Sequence, residues 1–327
     1  MQSLNHAVST GEQIRTPSIS ESIGRLKDNV NSVFLGKTEV VELALTTLLA
    51  EGHLLLEDVP GVGKTLLAKA LSRSIACTFN RIQFTPDLLP GDLLGTSIFH
   101  QTSGQFVFQP GPMFAQVVLA DEINRATPRT QSALLEAMSE RQVTLDGQTR
   151  ALGPPFFVVA TQNPYEFEGT YPLPESQLDR FLMRIQIGYP DRLAEKELLN
   201  RHRLTTPVDG LQAIIETTDL IALQHQTRTV RVTEPLADYM LEIIEATRTH
   251  PDIALGASTR AALGLYRCSQ SYALMQGRDY CVPDDVKKLV LPVLCHRIIA
   301  RRWARGARDD HAATALKDIL DRVAIPT

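Results

Sequence analysis

The chain has 327 residues, of which 43% are hydrophobic, so it is long enough to bury a large core and to divide into two domains. Its net charge is −4 with acidic and basic residues interspersed, which argues against general binding to nucleic acid or to anionic membranes. No apolar stretch approaches the roughly 20 residues that span a bilayer, and the N-terminus lacks a signal pattern, so we expect a globular cytoplasmic protein without membrane insertion.

The chain begins with a polar stretch, residues 1–20, which is rich in Ser, Thr and Gln and is predicted to be a disordered tail. From Ile23 onward, apolar residues at helical spacing predict a first helix. Leu35 and Gly36 interrupt that pattern, and a second helix is predicted over residues 40–51.

An apolar run at residues 54–56 predicts a buried strand, which a glycine-rich loop joins to a helix. Such a strand, loop and helix form a phosphate cradle, because unpaired N–H groups of the first helical turn point at the anion. Lys64 would reach the β- and γ-phosphates of ATP, and the Thr65 hydroxyl would bind Mg²⁺. The residues expected around the nucleotide are Asp58, Val59, Pro60, Gly61, Val62, Gly63, Lys64, Thr65 and Leu66.

Asp58 departs from the strict P-loop pattern, which has Gly at this first position. Aspartate tolerates turn conformations, so the loop can still form, but a carboxylate near phosphates needs its own partner. The alternative is an ordinary turn that happens to contain Gly-Lys-Thr. The second half of the motif, an acidic pair further along the chain, must decide between a phosphate-binding loop and an ordinary turn.

Residues 81–115 interrupt the alternation of strands and helices. A strand over residues 81–84 and a short helix over residues 92–94 precede a predicted hairpin, residues 97–109, whose turn is Thr-Ser-Gly. The hairpin carries three aromatic residues that could form a working surface or could simply pack on the protein body: Phe99, Phe106 and Phe108.

A continuous apolar run at residues 117–120 predicts a central parallel strand, and Asp121 and Glu122 follow at its C-terminal end. Ligands bind at that edge of such sheets. Beside a phosphate cradle, Asp121 would hold the Mg²⁺ shell and Glu122 would polarise the attacking water. A strand that ends in two solvated acids is the alternative, but the position downstream of Gly-Lys-Thr favours the catalytic pair.

A helix is predicted to begin at Thr127-Pro128, followed by a second hairpin, residues 142–152, around the turn Asp-Gly. Residues 156–161 predict another buried strand. Asn163 follows it at the same sheet edge as Glu122, where it could orient water or the γ-phosphate, or serve only as a loop residue.

Arg180 lies beside Asp179 in a short helical turn, residues 175–181, where it could form a surface ion pair. A fifth strand is predicted over residues 183–187. Beyond residue 190 the sequence predicts only helices, the fifth of them over residues 283–299. A basic run there could bind nucleic acid, but on an acidic chain a solvated helix face is favoured: Arg297, Arg301, Arg302, Arg305 and Arg308.

In chain order, five motifs together resemble those of an AAA+ ATPase: Lys64-Thr65, Asp121-Glu122, Asn163, Arg180 and Gly256 to Arg260. More narrowly, residues 57–65, 121–125 and 169–181 resemble the MoxR family. The resemblance extends from about Ile23 to the C-terminus. MoxR-like proteins commonly carry Asp at the position of Asp58.

The resemblance implies an α/β core, residues 21–190, with a parallel five-stranded sheet in the order 5-1-4-3-2. The hairpins 97–109 and 142–152 match the helix-2 insert and the pre-sensor-1 hairpin of that clade. A helical lid, residues 191–327, would follow. The family forms rings, usually hexamers, with ATP between subunits.

By the same resemblance, Asn163 is sensor 1, Arg180 is the arginine finger that acts on the neighbouring subunit's γ-phosphate, and Arg260 is sensor 2 within its own subunit. Leu35 and Gly36 would lie near the adenine. The family is associated with remodelling or maturation of protein complexes, often with a von Willebrand factor A domain protein encoded nearby.

Two other classes remain open. A magnesium-chelatase-like motor subunit would be favoured if neighbouring genes encode chelatase subunits. A nucleic-acid motor of the helicase kind would show DNA-stimulated ATP hydrolysis with a steep salt dependence, and the acidic balance of the chain argues against it.

Overall fold

The computed structural model describes residues 19–164, 169–201, 207–301 and 308–326. Most of the predicted N-terminal tail therefore lies outside the described residues. Its last two positions belong to the first helix, which begins at Ile19, four residues before the predicted start. Within the described ranges, no helix combines the length and hydropathy needed to cross a bilayer.

Helices and strands alternate in the first half of the chain, and helices dominate the second. The helices are α1 (Ile19–Asn31), α2 (Thr38–Leu49), α3 (Lys64–Ser74), α4 (Pro90–Leu94), α5 (Pro128–Glu140), α6 (Glu175–Leu178), α7 (Arg192–Arg201), α8 (Thr217–Thr227), α9 (Glu234–Thr249), α10 (Thr259–Met275), α11 (Pro283–Leu294) and α12 (Arg308–Arg322). The strands are β1 (Leu54–Glu57), β2 (Phe79–Gln83), β3 (Gly95–His100), β4 (Gln105–Pro110), β5 (Val117–Asp121), β6 (Gln142–Leu145), β7 (Gln148–Ala151), β8 (Phe157–Gln162), β9 (Met183–Ile185), β10 (Ile253–Leu255) and β11 (Ile299–Ala300).

Five strands form one parallel sheet in the order β2-β5-β8-β1-β9. Numbered among themselves in chain order, and read from the other edge, they follow the predicted order 5-1-4-3-2. The α/β class is thereby confirmed. Since the carboxyl ends of parallel strands share one edge, β5, β8 and β1 deliver their following residues side by side.

Apolar residues on both faces explain why the central strands β1, β5 and β8 are buried runs rather than alternating ones. Leu54 and Leu56 enter one apolar cluster, and Leu55 enters the other, because successive strand side chains point to opposite faces. The first cluster continues into the helical lid, where it includes Leu265 and Leu289. The sheet and the lid therefore share a core on one face.

The two predicted hairpins are present and contact each other. In the second, Asp146 and Gly147 have positive φ angles of 53° and 73°, the left-handed pair that a type I′ turn requires. Ser97 on β3 donates to Asp146 at 2.5 Å, and the Arg150 guanidinium lies 3.9 Å from the Phe108 ring centroid. Phe108 therefore packs between the hairpins.

The prediction that no strand follows residue 190 is wrong, because β10 and β11 form a small antiparallel pair. The predicted helix over residues 283–299 ends at Leu294 instead, and a single 3-10 turn, Cys295–Arg297, follows. That turn directs His296 and Arg297 inward, where both bond to the Phe181 carbonyl. Tertiary contacts thus end the helix before its local pattern does.

The predicted solvated face of the basic run is also wrong for Arg297, whose side chain is buried. Arg301 is exposed and donates to the Ile253 carbonyl at 3.0 Å. Arg302 and Arg305 lie outside the described residues, and Arg308 begins α12.

His53, just before β1, joins three elements of the core. Its Nδ1 accepts from the Val158 amide and its Nε2 donates to the Met138 carbonyl, both at 3.1 Å. Complete burial lowers the pKa of His53 to about 4, because the charged form would be desolvated. The folded protein therefore holds this imidazole neutral.

We expect His53 to make the protein less stable in acid. The unfolded chain binds a proton here below about pH 6.5 and the folded chain does not, so the free energy of unfolding falls as pH drops from about 6.5 to about 4, by about 1.4 kcal/mol per pH unit. Urea-unfolding midpoints at pH 7 and pH 5 should differ less in His53→Gln than in the wild type. The exposed histidine variant His100→Gln is the control, and an unchanged pH difference in His53→Gln would contradict this account.

Candidate active site

The glycine-rich loop ends where α3 begins at Lys64. Gly63 has a φ of 95°, and a Cβ there would lie 3.2 Å from the Phe34 ring, so this position favours glycine. The first intrahelical bond runs from the Leu67 amide to the Gly63 carbonyl at 3.0 Å. The preceding amides of the first turn have no intrahelical acceptor, which is the arrangement that binds phosphate.

Lys64 is half-buried at the start of α3, and its Nζ donates to the Asp58 carbonyl at 2.5 Å. Burial lowers the pKa of Lys64, while the nearby carboxylates of Asp58, Asp121 and Glu122 act in the opposite direction. The predicted phosphate-binding lysine and the predicted acidic pair therefore share one electrostatic environment.

The Asp58 carboxylate has the partners that its position demands, and they are backbone amides. Oδ1 accepts from Val59 N at 2.8 Å, and Oδ2 accepts from Ile187 N at 2.7 Å and from Gly188 N at 2.6 Å. Only 8% of Asp58 is exposed. The first P-loop residue thus anchors the loop to the segment that leads from β9 towards the lid.

A buried hydroxyl fixes the acidic pair. Thr161 on β8 donates to Asp121 Oδ1 at 2.6 Å and accepts from the Glu122 amide at 2.9 Å. Arg81 on β2 donates to Asp121 Oδ2 at 2.6 Å. Arg81 Nε also donates to Oδ2, at 3.1 Å. Since a carboxylate offers about four lone-pair sites, Asp121 keeps acceptor capacity on Oδ1 beyond these three donors.

Glu122 lies in the left-handed region, with φ 58° and ψ 50°, a conformation that is uncommon for a non-glycine residue. Its Oε2 accepts from Gln83 Nε2 at 2.7 Å and lies 3.2 Å from Arg125 Nε. Both contacts use Oε2, so Oε1 is the oxygen that can accept a proton from water.

Sequence reasoning missed Arg81, Gln83 and Thr161 as site residues. Arg81 and Gln83 are two positions apart on β2, so both project from one face of the strand next to β5. The alternation of polar residues at the end of β2 was the available signal, but only the strand order connects it to the acidic pair.

Asn163 is half-buried directly after β8, the strand that lies between β5 and β1. Gly36 has a φ of 74°, and a Cβ there would lie 2.7 Å from the Ala194 Cβ. The Leu35-Gly36 turn therefore lies against α7. It directly follows Phe34, whose ring lies next to Gly63 of the P-loop. This position is compatible with the predicted adenine contact.

Arg180 and Arg260 are placed differently. Arg180 Nη1 donates to the Leu135 carbonyl at 2.8 Å and to Ser139 Oγ at 2.7 Å, both on α5. Arg260 is exposed in the first turn of α10. Between residues that the structure describes, no hydrogen bond or ion pair joins either arginine to the P-loop or to the acidic pair.

The donor set fits a nucleotide with Mg²⁺. Free amides and a lysine face the expected phosphate position, and the Thr65 hydroxyl and the Asp121 carboxylate are the hard oxygen ligands that Mg²⁺ prefers. Glu122 and Asn163, which directly follow the adjacent strands β5 and β8, are further polar groups at this edge.

Comparison with known proteins identifies the class. The family described as "ATPase family associated with various cellular activities (AAA)" matches residues 53–183, and the AAA lid domain matches residues 245–319. These matches coincide with the site-bearing sheet and with the helical second half. The fold is that of an AAA-type ATPase.

Individual relatives define the family more narrowly. The chain is 46% identical to "Uncharacterized protein YeaC" of Bacillus subtilis, over 93% of this chain and 95% of that protein. It is 43% identical to "Chaperone MoxR1" of Mycobacterium tuberculosis, over 91% of this chain and 80% of that protein. A crystal structure from Cytophaga hutchinsonii, provisionally described as an ATPase, superposes with a TM-score of 0.87 at 39% identity, over 94% of this chain and 96% of that one. The chain belongs to the MoxR family of AAA+ ATPases.

Proposed function

We propose that copies of this chain form a ring, usually a hexamer in the family, that hydrolyses ATP between subunits and uses the energy to remodel protein complexes. The observation that carries the proposal is the Thr161 hydroxyl, which fixes Asp121 and Glu122 at the sheet edge that also carries Lys64. A phosphate cradle and an acidic pair at one edge support phosphoryl transfer to water.

Within one subunit, the amides of the α3 N-terminus and Lys64 would bind the phosphates, with Asp58 keeping the loop in place. Thr65 and Asp121 would hold Mg²⁺, which when bound would neutralise phosphate charge. Glu122 would accept the proton of the attacking water through Oε1, while Gln83 and Arg125 contact Oε2.

The roles of Asn163, Arg180 and Arg260 follow from the family resemblance. Asn163 would orient the water or the γ-phosphate, and Arg260 would contact the nucleotide of its own subunit from the lid. Arg180 would act on the neighbour's γ-phosphate, and its guanidinium has donors beyond the Nη1 that bonds to α5. We place this activity in the cytoplasm, where ATP is available.

The β3-β4 hairpin supports a proposal for client contact. Phe99 and Phe106 are paired across it, with ring centroids 5.3 Å apart, and are 51% and 73% exposed. Exposed apolar groups of this size are typical of interaction surfaces when they cluster. A protein client would bind here, and a von Willebrand factor A domain protein encoded nearby is the expected partner.

The catalytic assignment predicts separate effects for two substitutions. Glu122→Gln should keep binding ATP with Mg²⁺ but lose hydrolysis by about 10²-fold or more, since it removes the general base. Lys64→Ala should instead weaken nucleotide binding. Equilibrium binding of a fluorescent ATP analogue and phosphate release measure the two effects separately, and an equal loss of binding in both variants would contradict the assignment.

The client-contact proposal predicts that Phe99→Ser with Phe106→Ser leaves hydrolysis within about threefold of the wild type, a change of well under 1 kcal/mol in the barrier. In the Glu122→Gln background, which should prolong client complexes, the same two changes should abolish copurification of client proteins. Mass spectrometry of the purified rings measures this loss.

A matched control removes exposed apolar side chains elsewhere. Leu193 and Leu199 on α7 are 80% and 78% exposed, and their replacement by serine should leave client copurification intact. If clients remain bound to the Phe99 and Phe106 variant, the hairpin does not hold the client. If hydrolysis and ring assembly fail together, the hairpin is structural.

A further inference from the structure

Asp179 precedes Arg180, and nothing in the proposed reaction uses it. Its partly buried carboxylate contacts the lid. Asp179 Oδ2 accepts from the Ser258 hydroxyl at 3.2 Å, and Oδ1 lies 3.1 Å from Arg297 Nε. The second contact is a charge pair rather than an aligned hydrogen bond, because the Nε–H is not directed at the oxygen.

Arg297 is an unusual residue to find in this position, because its side chain is only 2% exposed. Its Nη2 donates to the Phe181 carbonyl at 2.8 Å. Its Nη1 lies beneath α10, where a Cβ added to Gly264 would be 2.8 Å away. Since desolvation makes buried ion pairs a poor source of stability, the placement calls for another explanation.

The same segment is held from two sides. From the lid side, His296 Nε2 also donates to the Phe181 carbonyl, at 3.0 Å, in addition to the contacts of Arg297 and Ser258. From the core side, Arg180 bonds to α5. A displacement of the lid relative to α5 must therefore change the position of Arg180.

Ser258 connects this segment to the nucleotide-facing end of the lid. It is the N-cap of α10, and its Oγ accepts from the Ala261 amide at 3.2 Å. Arg260 lies two residues further on, in the same helical turn. Because one turn of helix moves as a unit, a displacement of Arg260 also moves the Ser258 hydroxyl, which bonds to Asp179.

We propose that Asp179 is a positioning residue. Through Ser258 and Arg297 it would link the lid of one subunit to Arg180, which would act on the nucleotide of the neighbouring subunit. ATP bound in one site would then set the rate at the next site. The inference rests on the proposed interfacial roles of Arg180 and Arg260. Such coupling between two sites requires contacts that differ between nucleotide states. The proposed contact of Arg260 with the nucleotide of its own subunit would supply that difference.

The test uses rings that mix two variants. Asp179→Asn alone should bind ATP with an affinity within about twofold of the wild type and hydrolyse it about tenfold more slowly, since misplacing a catalytic group by about 1 Å is that costly or more. Mixed with Glu122→Gln in equal amounts, about a quarter of the sites should combine an intact base with a well-set neighbouring arginine. The rate should then rise at least about twofold above that of Asp179→Asn alone.

Two parallel samples separate the inference from the proposed function. Rings of Arg180→Ala with Glu122→Gln, verified as mixed by two affinity tags, should recover activity if Arg180 acts on its neighbour. If they recover and the Asp179→Asn mixture does not, Asp179 acts on its own site and the inference is wrong. If neither mixture recovers, the interfacial role of Arg180 is wrong, and the inference falls with it.

Controls address folding and the route through the lid. Asp285→Asn breaks another buried charge pair, with Arg278 inside the lid, and should not create a defect that mixing repairs. Ser258→Ala should slow hydrolysis in the same repairable way, whereas Asp191→Ala, which removes the cap of α7, should not. Combined with Asp179→Asn, Ser258→Ala should add less than about twofold further loss. Fully multiplicative losses would overturn the link through Ser258.

Discussion

The hydroxyl of Thr161 is the contact on which the site depends. This hydroxyl is buried on β8, donates to the Asp121 carboxylate and accepts from the Glu122 amide. The C-terminal ends of β8 and β5 are therefore held in fixed positions relative to each other. That amide belongs to Glu122, whose left-handed backbone would be costly without a partner. Because β8 also pairs with β1, the same strand sets the distance from the acidic pair to the phosphate cradle.

Two buried charges connect this sheet edge to the rest of the chain. Asp58 holds the P-loop to the amides of residues 187–188, and Arg297 holds the lid to the segment that carries Arg180. Buried charges persist only with partners, and both have backbone partners that vary little with side-chain motion. The P-loop, the path to the lid and the segment that carries Arg180 are thus mechanically connected within one chain.

Local signals in the sequence, namely apolar runs, turn residues and motif spacing, were sufficient for the two hairpins and for the positions of Lys64, Asp121 and Glu122. The strand order came from the family resemblance, because local patterns do not show which strands are neighbours. The sequence could not predict two of the three partners of the Asp58 carboxylate, the amides of Ile187 and Gly188, which are more than a hundred residues away in the chain. Local periodicity extended the helix past Leu294, but Arg297 turns inward to a carbonyl that the pattern cannot reveal. The proposed roles of Asn163, Arg180 and Arg260 came from resemblance, since those contacts require a nucleotide or a neighbouring subunit.

The most direct test of this account is the single-turnover rate of ATP hydrolysis in Thr161→Val, measured beside Thr227→Val, whose buried hydroxyl bonds only to its own helix in the lid. Removing the Thr161 hydroxyl leaves the Glu122 amide and an Asp121 oxygen without their partner. We expect ATP binding within about threefold of the wild type and hydrolysis slower by about tenfold or more, with the control unchanged. Wild-type hydrolysis in Thr161→Val would contradict the claim that this contact sets the catalytic pair.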